Sequence, residues 1–358
     1  MRHTLLITGA AGYVGFMLVE QFSKRSDVDR IIALDKEEAP ESFAQNAKVT
    51  YVHANTSDAW DEQVAQYQPD IVIHTAWQIR DLYGRSALQW TWNIHGSDRV
   101  FDFAFISPSV KRLVYFSTVA SYGAYPENTI EQIFTEDMPF RPSDYRYSEE
   151  KRISELHLKE KYDAIRAQGK DIVVSIVRPA AITGPRGRFS RIRFGLQSAL
   201  SGQLKGSFVY RLVSFLTSFV PATQRWARQF VHEDDVVDIV ELLAFREDVR
   251  GYDAFNLSPP GAPVLAPDMA RAVGKRIVRV SPLLIRVAFF FMWHGTLGRI
   301  PTTRGAWKGY SYPIVVSGNK IEKKYGYHYR MPSKDAFVYT DGRYEHVVPT
   351  ERRNKRPL

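Results

Sequence analysis

Through the first half of the chain, short runs of β-branched and aromatic residues alternate with stretches whose apolar positions recur at helical spacing. The runs TLLITG (4–9), RIIALD (30–35), KVTYVHA (48–54), DIVIHTA (70–76), RLVYFST (112–118) and DIVVSIVRP (171–179) predict strands. Helices are predicted over 13–25, 86–106 and 145–168; in the last, Ile153, Leu156, Tyr162 and Ile165 follow the helical repeat. Helices lie between several of these strands, and strand, helix, strand in this order predicts an α/β fold: a doubly wound, mostly parallel sheet of the Rossmann type with helices on both faces. Ligands of such sheets gather at the carboxyl ends of the strands, near the switch in strand order.

From about 180 the alternation loosens into segments richer in Pro, Gly and Arg, and order returns in RQFVHEDDVVDIVELLAF (228–245). The organisation expected is a dinucleotide-binding domain over 1–180 completed by about 228–246, a smaller substrate lobe from 181–227 and 247–340, and a basic tail over 341–358. The stretch SPLLIRVAFFFMWHGTLG (281–298) is apolar for a helix's length but broken by Arg286 and His294. It falls short of the roughly 20 apolar residues that cross a bilayer. It is expected as a core or pocket-lining helix, with attachment to a membrane surface as the lesser alternative.

With 358 residues, 44% apolar and 24% charged, the chain can bury a sizeable core. The absence of cysteine excludes disulfides and thiolate metal sites. MRHTLLITGAAGYVGFMLV starts basic and runs apolar, yet its regularly spaced glycines and the lack of a cleavage pattern after them argue against a secretory leader, so a cytoplasmic location is expected. The net charge of +9 is concentrated in GPRGRFSRIRF (184–194) and in ERRNKRPL (351–358), the latter expected as a disordered end. No aromatic-interleaved basic platform accompanies it, so no nucleic-acid partner is expected. The histidines are scattered without metal-ligand spacing, so no metal is expected. The acids after His232 (Glu233, Asp234, Asp235) are expected to cap a helix over 234–246.

Three glycines, Gly9, Gly12 and Gly15, stand between the first strand and the first helix in TGAAGYVG. Glycine permits a tight turn and close backbone approach there, while the helix N-terminus offers free N–H groups and a positive dipole end to a pyrophosphate. Asp35 ends the second strand, where a carboxylate accepts from the ribose hydroxyls of a dinucleotide. Its charge repels a 2′-phosphate and favours NAD over NADP, a preference that the neighbouring Lys36 tempers.

In YRYSEEK (145–151) only Tyr147 has a lysine one helical turn on, at Lys151; Tyr145 does not. An ordinary tyrosine titrates at about 10 and is a poor base at neutral pH. A nearby ammonium stabilises its phenolate. Thr118 follows Ser117 at the carboxyl end of the fifth strand, positioned to hydrogen-bond a substrate alcohol or carbonyl. Tyr147, Lys151 and Thr118 together read as a proton-transfer set for interconverting an alcohol and a ketone, with hydride exchanged at a nicotinamide.

These blocks, with HTAW, NIHGSDRVFDFA, YFSTVASYG, YSEEKRISE, VRPAAITGPR and RQFVHEDDVV in order, resemble the extended short-chain dehydrogenase/reductase family, which includes NAD-dependent sugar-nucleotide epimerases and dehydratases. The resemblance implies Tyr147 as catalytic base, Lys151 on ribose and tuning the tyrosine, and Thr118 on the reacting oxygen. It further implies pyrophosphate contacts from the backbone of Tyr13 and Val14, with His74 and Ala76 bordering the cofactor. Asn93 would support the helix behind the site. Asn55 stands where the family usually has an acid near the adenine amine, and its amide oxygen can accept the same bond. Val119 and Ala120 occupy the places of the acidic pair of 4,6-dehydratases, which disfavours dehydration.

Arg228 stands where epimerases carry a diphosphate-binding arginine; Arg186, Arg188, Arg191 and Arg193 are further cations that could equally be a solvated loop. Against a sugar, Ala181 and Thr183 replace the Asn and Tyr of the epimerase turn, as in relatives acting on steroid-like alcohols. The resemblance therefore leaves an epimerase of a sugar nucleotide, a dehydrogenase or reductase of a hydrophobic alcohol or ketone similar to 3-beta-hydroxysteroid dehydrogenases, and a non-catalytic dinucleotide-binding sensor. Relatives often dimerise through two long helices, here 86–106 and 145–168, whose apolar faces could serve a homodimer or equally pack on the sheet.

Overall fold

In the computed structural model, which describes residues 2–191, 219–272 and 274–357, the six expected strands all form. They are β1 (His3–Thr8), β2 (Val28–Asp35), β3 (Val49–His53), β4 (Ile71–His74), β5 (Arg112–Phe116) and β6 (Val173–Pro179). One more, β7 (Tyr252–Leu257), joins them in a seven-stranded sheet of order β3-β2-β1-β4-β5-β6-β7. The pairings from β3 across to β6 are parallel, with Leu5 opposite Ile31 on one side and Ile71 on the other. Leu5, Leu6 and Ile7 are fully buried, as a central parallel strand covered on both faces requires. The strand order reverses between β1 and β4, which places the ligand crevice at their carboxyl ends.

The helices that matter here are α1 (Tyr13–Phe22), α2 (Gly96–Ile106), α3 (Arg146–Ala167), α4 (Glu233–Phe245) and α5 (Pro282–Gly295). Phe101, Ala104 and Phe105 of α2 and Leu158 and Tyr162 of α3 close over Leu6, Val72, Leu113 and Val174 of the sheet. Each of the leucine, valine and phenylalanine side chains among them contributes about 1.5–3 kcal/mol on burial. Ahead of α2 the turn Thr91–His95 is π-helical, a local widening that often marks a functional position.

The chain divides into two compact units. The first comprises Met1–Thr118, Glu149–Arg178 and Val237–Phe255 and holds most of the sheet. The second comprises Val119–Ser148, Pro179–Val236 and Asn256–Leu358. It is built from short strand pairs, Ala181–Thr183 with Phe230–His232 and Ala227–Arg228 with Val264–Leu265, over a cluster that includes Trp226, Phe230, Met269 and Phe337.

Four features of the second unit differ from expectation. The apolar helix forms as α5 but is not a core helix: Leu283, Leu284, Phe290 and Phe291 are 58–68% exposed, and Ile285 alone is buried. The acids at the start of α4 turn to other loops. Glu233 accepts the N–H groups of Arg186 (2.9 Å) and Gly187 (3.0 Å), Asp234 that of Arg343 (2.9 Å), and Asp235 the Tyr327 hydroxyl (2.6 Å) and the Arg330 N–H (3.0 Å). A fully buried carboxylate needs donors, and these loops supply backbone N–H groups that need acceptors.

Arg188 belongs to no solvated loop. It is 2% exposed and its guanidinium donates to the carbonyls of Phe337 (3.2 Å), Val338 (3.2 Å) and Tyr339, at the C-terminus of the helix Ser333–Val338, where orphan carbonyls and the dipole favour a cation. The basic tail is ordered through Arg356. Thr340 and Asn354 exchange backbone and hydroxyl bonds at 2.8 Å, and Arg356 N–H donates to Asp341 at 3.0 Å. Arg193 lies outside the described residues.

Candidate active site

The loop after β1 turns at Gly9, whose φ of +70° favours glycine. A Cβ on Gly9 would lie 2.5 Å from the Ala76 nitrogen, and one on Gly15 2.1 Å from the Gly9 carbonyl oxygen. Backbone is thus packed on backbone at the start of α1, whose cap residue Gly12 makes no side-chain capping bond. Such a backbone cradle at a helix N-terminus fits an anion. Asp35 ends β2 beside it: one carboxylate oxygen accepts the Ala11 N–H (2.9 Å), the other the Glu37 N–H (3.0 Å). Both oxygens retain lone pairs for further donors. Lys36 pairs with Glu37 and lies 5.2 Å from the Trp92 ring centre. The cradle and the carboxylate together fit a dinucleotide such as NAD.

Asn55 is engaged locally. Its side-chain oxygen accepts from Ser57, once from the N–H and once from the hydroxyl, both at 3.1 Å, while its own N–H donates to Asp58 (2.8 Å). Both lone pairs are therefore used within the turn.

His74 ends β4 and is fixed on both ring nitrogens. Nε2 lies 2.9 Å from the Ser97 hydroxyl, which itself donates to the Asn93 carbonyl at 2.5 Å, so Nε2 carries the proton. Nδ1 then accepts from the Thr8 hydroxyl at 2.6 Å. Burial, with a smaller push from Lys151, holds its pKa well below the usual 6.5. His232, in the second unit, is likewise neutral: Nδ1 accepts the Asp234 N–H (3.1 Å), Nε2 donates to the Asp341 carbonyl (2.9 Å), and burial lowers its pKa despite Asp234.

Below the unfolded value of 6.5 the unfolded chain takes up protons that the native histidines refuse, so stability falls as pH drops below that point. The slope is about 1.4 kcal/mol per pH unit for each group until its folded pKa is reached. Melting temperatures between about pH 7.5 and 5.5 are expected to fall less steeply in His74→Asn than in the parent; equal slopes would refute the role given to His74.

Lys151 is 3% exposed. Its ammonium donates to the Phe116 carbonyl and lies 3.5 Å from the Tyr115 hydroxyl and 3.6 Å from the centre of the Trp77 ring. Desolvation drives its pKa well below 10.5, while Glu155 and Glu150 push it back up. Glu150 is itself buried, accepting from Asn93 (2.7 Å) and Gln89 (3.3 Å); Asn93 also accepts the Gln78 N–H (2.7 Å), and Gln89 reaches Asp81 (3.2 Å). Asn93 enters this network from the π-helical turn. Trp77, Glu150 and Gln89 escaped the sequence reading. Trp77 could have been found as the residue closing HTAW after β4, whereas an acid near the start of a helix ordinarily reads as a dipole partner.

Tyr147 and Lys151 occupy α3 one turn apart, so their side chains share a face of that helix. Tyr147 is half-buried, its ring 5.8 Å from that of Tyr145. The Ser121 hydroxyl donates to the Ser148 carbonyl (2.9 Å), which fastens the start of α3 to the turn Val119–Tyr122 directly after Thr118. Thr118 and Ser117 are buried at the end of β5, and the Ser117 hydroxyl has no hydrogen-bond partner among the described residues.

Arg228, in the second unit, keeps an open face to solvent while donating to the Gly309 carbonyl at 3.3 Å. Desolvation by the surrounding protein lowers its pKa, countered by Tyr145 and Tyr310. An arginine remains cationic under such a shift. Among the described residues no cluster of His, Asp or Glu could hold a metal.

A carboxylate and glycine cradle suited to a dinucleotide, next to buried hydroxyls and a lysine on a tyrosine-bearing helix, can support hydride and proton exchange at a carbinol. An uncharacterized protein of Mycobacterium tuberculosis is 25% identical over 272 residues, 75% of this chain and 65% of that protein, so the chain spans slightly under two thirds of that relative's length. Sterol demethylase protein B of Methylococcus capsulatus is 26% identical over 248 residues, 69% of this chain and 67% of that protein. The crystal structure of the Bordetella bronchiseptica enzyme WbmG in complex with NAD and UDP shares the fold, with a TM-score of 0.67 and 22% identity over 94% of this chain and 92% of that one. The family model described as NAD dependent epimerase/dehydratase matches residues 5–258, most of the chain that carries the sheet, the cradle and the tyrosine helix, and the chain belongs to that family.

Proposed function

We propose that the protein epimerises a sugar nucleotide through a keto intermediate. The observation that carries this reading is Arg228: an arginine that reaches the surface, within electrostatic range of Tyr145 and so near the start of the helix that presents Tyr147. A diphosphate held there would set the attached sugar by the base. In this reading Gly9, Gly12 and Gly15, with the backbone of Tyr13 and Val14, receive the pyrophosphate of NAD; Asp35 takes the adenosine ribose, His74 and Ala76 border the cofactor, and Lys151 takes the second ribose. NAD, when bound, supplies a site that accepts a hydride and returns it. Tyr147 removes the hydroxyl proton from the sugar and later gives it back. Thr118 donates a hydrogen bond to the reacting oxygen, and Lys151 favours the phenolate. WbmG with NAD and UDP supports this reading by analogy of fold.

A second reading, oxidation or reduction of a hydrophobic alcohol, is favoured by Ala181 and Thr183 and by the likeness to sterol demethylase protein B. The two differ in cofactor balance. Purified protein with NAD and a panel of UDP- and GDP-hexoses is expected to yield the isomerised sugar without growth of reduced-nicotinamide absorbance. Arg228→Ala should raise KM about ten- to a hundredfold with kcat little changed, as loss of a charge-assisted contact to the phosphates predicts. Inert sugars, with reduced nicotinamide accumulating on apolar alcohols, would transfer the assignment to the second reading.

A further inference from the structure

A solvated helix turns a polar side outward, and α5 does not. Its inward stripe is Ile285, Phe289, Met292 and Trp293, of which Ile285 is buried and Phe289 packs on Tyr310 with ring centres 5.7 Å apart. The outward positions are also apolar. Leu283, Val287 and Phe290 follow one another at helical spacing with Leu284 and Phe291 beside them, all 45–68% exposed, and Leu297 just past the helix is 67% exposed. The helix does not depend on a partner for its ends: Pro282 starts it and the Ser281 hydroxyl accepts the Leu284 N–H at 3.3 Å.

The charge of the surrounding sequence bears on what could cover this face. Between Asp268 and Glu322 there is no acidic residue and there are nine lysines and arginines. Arg279, Arg286, Arg299 and Arg304, which flank or lie on α5, are exposed, and none forms an ion pair with a described residue. Among the described residues no helix is long and apolar enough to cross a membrane. With 14 residues, α5 extends about 21 Å, too short for a bilayer's hydrocarbon core. An apolar outward face edged by cations without acidic partners matches a helix lying in the plane of an anionic bilayer, with phenylalanines and leucines among the acyl chains and arginines at the phosphates. A second copy of the chain is a poorer match, because a two-fold contact through α5 would bring like charges together.

We propose that α5 is an interfacial helix that seats this protein on an anionic membrane surface. The proposal does not depend on which substrate the active site takes. It is tested by flotation of the full chain with vesicles of phosphatidylcholine alone or mixed with phosphatidylglycerol, beside the double variant Leu284→Glu/Phe291→Glu. The parent is expected to float with the mixed vesicles, less with phosphatidylcholine alone, and less as salt is raised. The variant is expected to partition about a hundredfold more weakly, since two large apolar side chains no longer leave water. Both altered residues face solvent, so unchanged circular dichroism and NAD affinity should accompany that loss. Failure of the parent to float with the mixed vesicles overturns the proposal. So does sedimentation showing a dimer that the variant converts to monomer, which would assign the face to a second copy.

Discussion

Tyr147→Phe is expected to lower kcat by about three orders of magnitude, the scale on which a positioned acid–base group acts, while NAD affinity stays within about twofold because the lost hydroxyl is one contact among many. The argument starts on α3. Tyr147 and Lys151 are one turn apart, and the lysine is held in place by the Phe116 carbonyl and by the Trp77 ring beneath it. Burial disfavours the lysine's charge, and Glu155 and Glu150 restore part of it. In the proposed mechanism the lysine, when charged, stabilises a phenolate on the same helical face. Lys151→Met should therefore shift the acid limb of kcat/KM to higher pH as well as weaken NAD binding, a combination that loss of packing alone would not produce. Tyr145→Phe serves as the control, since no lysine lies one turn beyond it. If Tyr147→Phe stays within about tenfold of the parent and Tyr145→Phe collapses, the base has been misassigned.

What was legible in the sequence is what local physics determines. The alternation of strand and helix, the glycine triplet, Asp35 and the Tyr147–Lys151 spacing all rest on contacts between residues near in sequence or on the fixed periods of regular structure. The six strands accordingly appear where the apolar runs lie, whereas β7 went unrecognised because its short run, YDAFNL, opens with polar alternation and ends in SPPG. The remainder depends on neighbours that no local pattern names. An apolar helix such as α5 looks the same whether it is covered or bare, so its exposure could not be read from composition. Arg188 resembled its neighbouring arginines, yet its partners are carbonyls about 150 residues further on. Glu233, Asp234 and Asp235 stood where caps belong and instead hold loops contributed by both sides of the sequence. Within the site, Trp77 and Glu150 were missed for the same reason: what they do is set by Lys151 and Asn93, which the chain brings to them from a distance.

Gly15→Val is expected to raise the Kd for NAD by at least about a hundredfold, equivalent to losing two hydrogen bonds to a charged pyrophosphate. The Gly15 Cα faces the loop so closely that an added Cβ would meet the Gly9 oxygen at 2.1 Å and the Ala10 Cα at 2.9 Å. Neither is the end of a flexible side chain; both are backbone, so the loop itself must move. Gly9 cannot yield easily, because it holds a φ of +70° and is wedged against the Ala76 backbone. The strain is therefore relieved by displacing the start of α1, and the N–H groups that converge on an anion lose their common target. The sheet should survive, since its core lies in the β1 leucines and the helices packed over them rather than in the turn. Calorimetric titration with NAD, beside circular dichroism and a melting curve, separates the two effects. A variant that keeps its secondary structure but no longer takes up NAD fits a cradle made by close backbone contact. One that binds NAD as tightly as the parent would mean that the dinucleotide does not rest on the N-terminus of α1.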